Sequence, residues 1–197
     1  ATLYGDERTE GGKIKATKQK RAAPPEQLRR RIAVLFQTPV HYYDTAHENI
    51  RYGDLASNRA DVLSAGERAG VDEIIQRLPA GYDTSLGRWF GCGTELSVGE
   101  WQRLALARSL SWRPGLVILD EPFSALDRDV KANIGQALHE LATKDGMTVV
   151  LITHNVSDAL AIGMRYVIIG DRPVRIISDL EFKSPHPRQR GAVDYDT

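Results

Sequence analysis

LVILDEPFSALD, residues 116–127, sets four apolar residues directly before two adjacent carboxylates and closes on a third acid after a short turn. An apolar run of this length reads as a buried strand, and the acids after it fall where a sheet meets solvent. Asp120 is therefore a candidate ligand for a hard cation such as Mg²⁺, which prefers carboxylate oxygen and often binds through water. Glu121, one residue on, points elsewhere and can hold and polarise a water for in-line attack on a phosphoryl group, which is work of positioning and electrostatics. Pro122 ends the strand sharply. Taken alone, the string is also explained by an acid-rich helix start stabilised by the macrodipole.

Upstream, residues 95–110 read ELSVGEWQRLALARSL. Ser97 and Glu100 form an S-x-x-E capping box, so a helix starts here, and Gly99 permits close approach of another group to its backbone. Such a terminus binds anions, although the same residues also describe nothing more than a well-capped helix. Trp101 reads as packing, because the first apolar positions of a capped helix face the core. RIAVLFQ, residues 31–37, has strand length and delivers Gln37 to its polar end; Gln37 alone could also just cap the strand. MTVVLIT, residues 147–153, similarly leads into His154, a position that a purely structural histidine also fits. YVIIG and VRIIS are two further short apolar runs.

Between residues 39 and 110 the pattern is helical, broken by Gly, Asn and Asp, and it reads as a helical subdomain inserted in an α/β body. Alternating strands and helices imply a mainly parallel sheet covered on both faces, with ligand at the carboxyl ends of the strands. In the helix after Asp127, Val130, Ile134, Ala137, Leu138 and Leu141 form a packing stripe.

The 197 residues are 42% hydrophobic, enough for one globular unit with a real core. Lys plus Arg (26) balances Asp plus Glu (26), which excludes a global field toward nucleic acid or lipid. Residues 13–31 carry eight basic side chains against the single acid Glu26, but aromatic interleaving is absent and the segment reads as solvated surface. The lone Cys92 excludes an internal disulfide framework, suits a reducing compartment and reads as structural. His41, His47, His139 and His186 show no metal-ligand spacing. No apolar run approaches the roughly 18 residues of a membrane span, and no signal-peptide pattern opens the chain, so this piece is expected to be soluble.

Together these strings resemble the nucleotide-binding domain of an ATP-binding cassette (ABC) transporter. LSVGE, residues 96–100, resembles the LSGGQ signature, with Val98 in place of a glycine and Glu100 in place of glutamine. LVILDE is similar to the Walker B strand, SALD (residues 124–127) to the D-loop, LITHN (residues 151–155) to the switch-histidine loop, and Gln37 to the Q-loop residue. The resemblance implies catalytic roles for Glu121, His154 and Gln37, nucleotide contacts from Ser97, Gly99, Glu100 and Asp127, and Mg²⁺ held by Asp120 with Gln37. ATP and Mg²⁺ are the implied cofactors. The implied partners are a second nucleotide-binding domain, in a head-to-tail dimer, and a transmembrane domain, with no nucleic acid; the implied place is the cytoplasmic face of the cell membrane. The implied fold is α/β and P-loop NTPase-like: a mainly parallel sheet with an inserted helical signature subdomain, lacking the N-terminal P-loop portion. The expected division is a core remnant at 1–38, the helical subdomain at 39–112, the second core portion at 113–178 and a tail at 179–197.

The string G-x-x-x-x-G-K-[ST], whose backbone N–H groups cradle phosphates, does not occur in these residues. GGKI, residues 11–14, is the nearest fragment, but Ile14 replaces the hydroxyl and the glycine spacing fails. The family's P-loop opens a helix whose end resembles residues 1–12, so the chain is expected to begin just past that loop, to bind ATP negligibly by itself and to leave a sheet edge exposed. Residues 28–37, 47–54 and 79–110 resemble exporters, whereas DEPFSALD and residues 166–190 resemble importer ATPases of the nitrate, sulfonate and taurine type; export is favoured. Two functions follow: a transport-coupled ATPase, or an incompetent fragment or regulatory module that donates its signature to a partner cassette.

Overall fold

Parallel pairing organises the chain around strands β1 (Ile32–Leu35), β2 (Leu116–Asp120) and β3 (Thr148–Ile152), in the order β1-β2-β3. The computed structural model describes residues 24–29, 31–88, 93–123, 126, 128–170 and 172–181, so Cys92 and Asp127 lie outside the described residues. A short helix α1 (Pro25–Arg29) precedes β1. Helices α2 (Ala46–Arg51), α3 (Arg59–Arg68), α4 (Asp72–Gln76) and α5 (Val98–Leu110), with a 3₁₀ turn at Gly81–Asp83, lie between β1 and β2. The helical reading of that region therefore matches the structure. Helix α6 (Arg128–Lys144) joins β2 to β3, and α7 (Val156–Ile162) follows β3.

Side chains alternate across the strands. Ala33, Leu35, Val117 and Leu119 point into the core, where they join Leu104, Leu106 and Leu110 of α5 and Ile134, Leu138 and Leu141 of α6. The stripe read in α6 is thus its buried face, with Val130 packed at its edge.

The expectation that helices cover both faces of the sheet fails for the described residues. On the opposite face Val34, Val150 and Ile152 remain 43%, 41% and 49% exposed. Both crossovers, β1 to β2 and β2 to β3, step in the same direction, and right-handed crossovers taken in one direction put their helices on one side. Among the described residues the sheet has three strands: β4 (Arg165–Gly170) and β5 (Arg175–Glu181) pair antiparallel with each other in a separate hairpin, closed by a bidentate Arg165–Asp179 ion pair.

The segment after β1 is pinned to α5 by Arg108. Its Nε donates to the Asn49 carbonyl at 2.7 Å, one terminal nitrogen to the Val40 carbonyl at 2.9 Å and the other to Asn49 Oδ1 at 2.9 Å. The guanidinium also lies 4.5 Å from the centre of the Tyr42 ring, a cation–π contact. Gly53 is required here, because a Cβ would fall 2.0 Å from the Arg108 carbonyl oxygen.

Candidate functional site

Four of the polar residues singled out in the sequence, Gln37, Asp120, Glu121 and His154, lie at or just past the carboxyl ends of the three parallel strands. Leu35 is level with Leu119, and Asp120 with Ile152, so the chain leaves β1 toward Gln37 beside the point where β2 ends in Asp120. Gln37 is exposed there and Asp120 is half-buried. The Glu121 N–H donates to the Ile152 carbonyl at 2.9 Å, carrying the ladder one residue further. Glu121 then turns in the left-handed region with φ 45°, which costs a non-glycine residue roughly 1–2 kcal/mol.

That turn accompanies a dense set of contacts from the loop after β3. Glu121 Oε1 accepts from the His154 backbone N–H at 2.7 Å and lies 2.6 Å from His154 Nδ1; Oε2 accepts from the Thr153 hydroxyl at 3.0 Å. An ionised carboxylate only accepts, so Nδ1 carries the proton and Nε2 is the nitrogen left for a second partner. The His154 side chain is 86% exposed and that of Glu121 only 17%. Partial desolvation raises the Glu121 pKa, but the hydrogen bonds from the His154 backbone and ring and the Thr153 hydroxyl outweigh it and hold the carboxyl below its ordinary value of 4.5. Asn155 caps α7 by accepting from the Ser157 and Asp158 N–H groups, and Lys131 of α6 pairs with Asp158 at 2.9 Å, bracing the same loop from behind.

A depressed carboxyl stabilises the fold above its unfolded pKa and loses that contribution as pH falls through the folded value. Glu121→Gln is therefore expected to lower stability at neutral pH by about 1.5–3 kcal/mol, the range for hydrogen bonds to a charged group. In thermal melts the gap to the parent chain should narrow as pH drops below 4.5. A gap independent of pH would contradict the assignment.

Asp120 and Gln37 offer one carboxylate and one amide oxygen. Among the described residues no group of three or more His, Cys, Asp or Glu side chains could hold a metal. This donor set fits Mg²⁺ in its usual mode, with most oxygens drawn from water and phosphate, and does not fit a closed protein cage.

A second group sits at the start of α5. Ser97 Oγ accepts from the Glu100 N–H at 3.4 Å and Glu100 Oε2 accepts from the Ser97 N–H at 2.7 Å, so the capping box is present in both directions. The Glu100 carboxylate is thereby engaged with its own helix. Gly99 does allow a close approach, and the groups that approach are Leu126 and Val130: a Cβ there would meet a methyl of each at 3.2 Å. The start of α5 is thus packed on the start of α6, just beyond β2. Trp101 is 2% exposed and serves as packing, as read, with Nε1 donating to Glu95. The reading of the sequence missed Thr153, whose position between an apolar strand and His154 was the available signal, and the stacking of His41 on Trp101.

Residues 1–124 match the family described as ABC transporter. The chain is 42% identical over 133 residues to the ATP-dependent lipid A-core flippase of Aromatoleum aromaticum, a match covering 67% of this chain and 21% of that protein. It is 39% identical over 142 residues to the mitochondrial potassium channel ATP-binding subunit of Rattus norvegicus, covering 72% of this chain and 19% of that one. The structure of a bacterial Atm1-family ABC exporter with ATP bound aligns with a TM-score of 0.66 at 32% identity, over 78% of this chain and 26% of the exporter chain. The chain belongs to the ABC transporter family, and it spans about a fifth of the length of these curated relatives. Among the described residues no helix is long and apolar enough to cross a membrane.

Proposed function

We propose that this chain is the signature- and switch-bearing portion of the nucleotide-binding domain of an ABC exporter, acting in ATP hydrolysis at the cytoplasmic face of the cell membrane. The observation that carries this reading is the joining of Glu121, Thr153 and His154 at the strand ends beside Asp120. Glu121 is the base that orients the attacking water, and His154 offers Nε2 to the γ-phosphate while Nδ1 is held by Glu121. Asp120 and Gln37 would hold Mg²⁺, which supplies charge neutralisation at the β- and γ-phosphates when bound. Residues 39–112 form the helical subdomain and 113–178 the second core portion. Export is supported by the flippase and exporter relatives.

In a head-to-tail dimer, Ser97, Gly99, Glu100 and the D-loop residue Asp127 face the nucleotide held by the second cassette. The phosphate cradle is absent from these 197 residues. Calorimetric titration of the chain alone with Mg²⁺-ATP is therefore expected to show no micromolar binding; a micromolar isotherm would overturn the role given to the cradle.

A second reading, donation of the signature to a partner's site without hydrolysis by this chain, is favoured by the complete capping box, which forms the helix start independently of nucleotide. This second reading is tested by adding the chain to an intact homologous cassette and following ATPase activity. A rise above the cassette alone supports signature donation, and no change at saturating chain removes it.

A further inference from the structure

We propose that His41 is a positioning residue for the signature end of α5: its ring, stacked on Trp101, couples the chain that follows Gln37 to the helix start that carries Ser97 and Gly99. The inference rests on the cassette reading for what the helix start does, but not for the coupling itself. The two rings lie 4.2 Å apart, centroid to centroid, and are within 6° of parallel. Trp101 is buried and fixed on both sides of the helix cap. Its backbone N–H donates to the Ser97 carbonyl at 3.0 Å, and its indole N–H donates at 3.1 Å to Glu95, two residues before the cap. An indole held this way moves only with the first turn of α5.

The His41 side of the contact is equally committed. The carbonyls on either side of it, Val40 and Tyr42, accept from Arg108 and from Asn49 Nδ2. Arg108 lies near the far end of α5, so it ties the segment to the helix body, whereas His41 is the contact at its first turn. A displacement of the strand-end loop that bears Gln37 thus reaches the first turn of α5 through two stacked rings. Partial desolvation lowers the His41 pKa, the Glu95 carboxylate opposes this, and the Arg108 guanidinium reinforces it. Protonation of the ring is therefore expected below pH 6.5 and should alter the stack.

Backbone amide NMR of the full chain, without nucleotide or partner, provides the test. His41→Ala is expected to shift the amides of residues 97–101 and speed their hydrogen exchange. His41→Phe, which keeps the stack but cannot titrate, should restore them. In the parent chain the Gly99 and Glu100 amides should titrate together with the His41 imidazole, and in His41→Phe that titration should be lost. Perturbation confined to residues 39–43, or failure of His41→Phe to restore residues 97–101, would overturn the proposal. Because no ATPase enters the measurement, its failure leaves the cassette reading standing. Failure to stimulate a partner cassette, in turn, leaves the coupling standing.

Discussion

Replacing Trp101 with alanine is expected to lower the stability of the chain by about 3–5 kcal/mol, the range for truncating a buried aromatic side chain. For a chain of this size that is a fall in melting temperature on the order of 10 °C. The loss has three sources. Trp101 is among the largest fully buried side chains, its truncation leaves a cavity beside the α5 core, and Glu95 loses the indole donor. Thermal melts followed by circular dichroism provide the check. A change within about 0.5 kcal/mol, as for an ordinary surface substitution, would show that the indole is not part of the packed helix start.

The second large effect is expected at Ser97. Aspartate is as good an N-cap as serine, and a negative charge is favourable at a helix N-terminus, so Ser97→Asp should preserve α5. It would nevertheless place a carboxylate where the proposed dimer brings phosphate. Two unit like charges about 4 Å apart repel by roughly 4 kcal/mol at an effective dielectric constant of about 20. A penalty of that size weakens binding by on the order of a thousandfold. Stimulation of an intact cassette by the chain should accordingly be abolished by Ser97→Asp. The neutral cap Ser97→Asn should leave a measurable part of it. Equal stimulation by both variants would show that this helix start does not face an anion.

Much of this arrangement is legible in the sequence because it depends on local physics. Four apolar residues before Asp120 are enough to specify a buried strand, and Ser97 with Glu100 is enough to specify a capped helix start. The stripe in α6 follows from helical spacing alone. What was not legible depends on how the chain travels between elements. Periodicity shows that Val34, Val150 and Ile152 share a face, but whether a helix covers that face depends on the direction of the two crossovers. Likewise, YVIIG and VRIIS read as strands without revealing that, among the described residues, they pair with each other and not with the parallel sheet.

At the site, the sequence supplied Glu121 and His154 but not the contact between them. That contact depends on Glu121 taking a left-handed turn and on the Thr153 hydroxyl standing at the end of β3. Gly99 was read for close approach to its backbone, and within the chain the groups that make that approach, Leu126 and Val130, lie about thirty residues on. His41 was read only as a histidine without metal-ligand spacing, since nothing local joins it to a tryptophan sixty residues away.

That the ends of three parallel strands surround one triphosphate terminus is tested most directly by paramagnetic broadening of the backbone amides on titration with Mn²⁺ in millimolar excess ATP, a readout that registers fractional occupancy far weaker than a micromolar complex. Gln37, Asp120, Glu121 and His154 are expected to broaden together, ahead of remote carboxylates such as Asp145 and Asp179. Broadening that begins at those remote acids and leaves the strand ends unchanged would contradict the site.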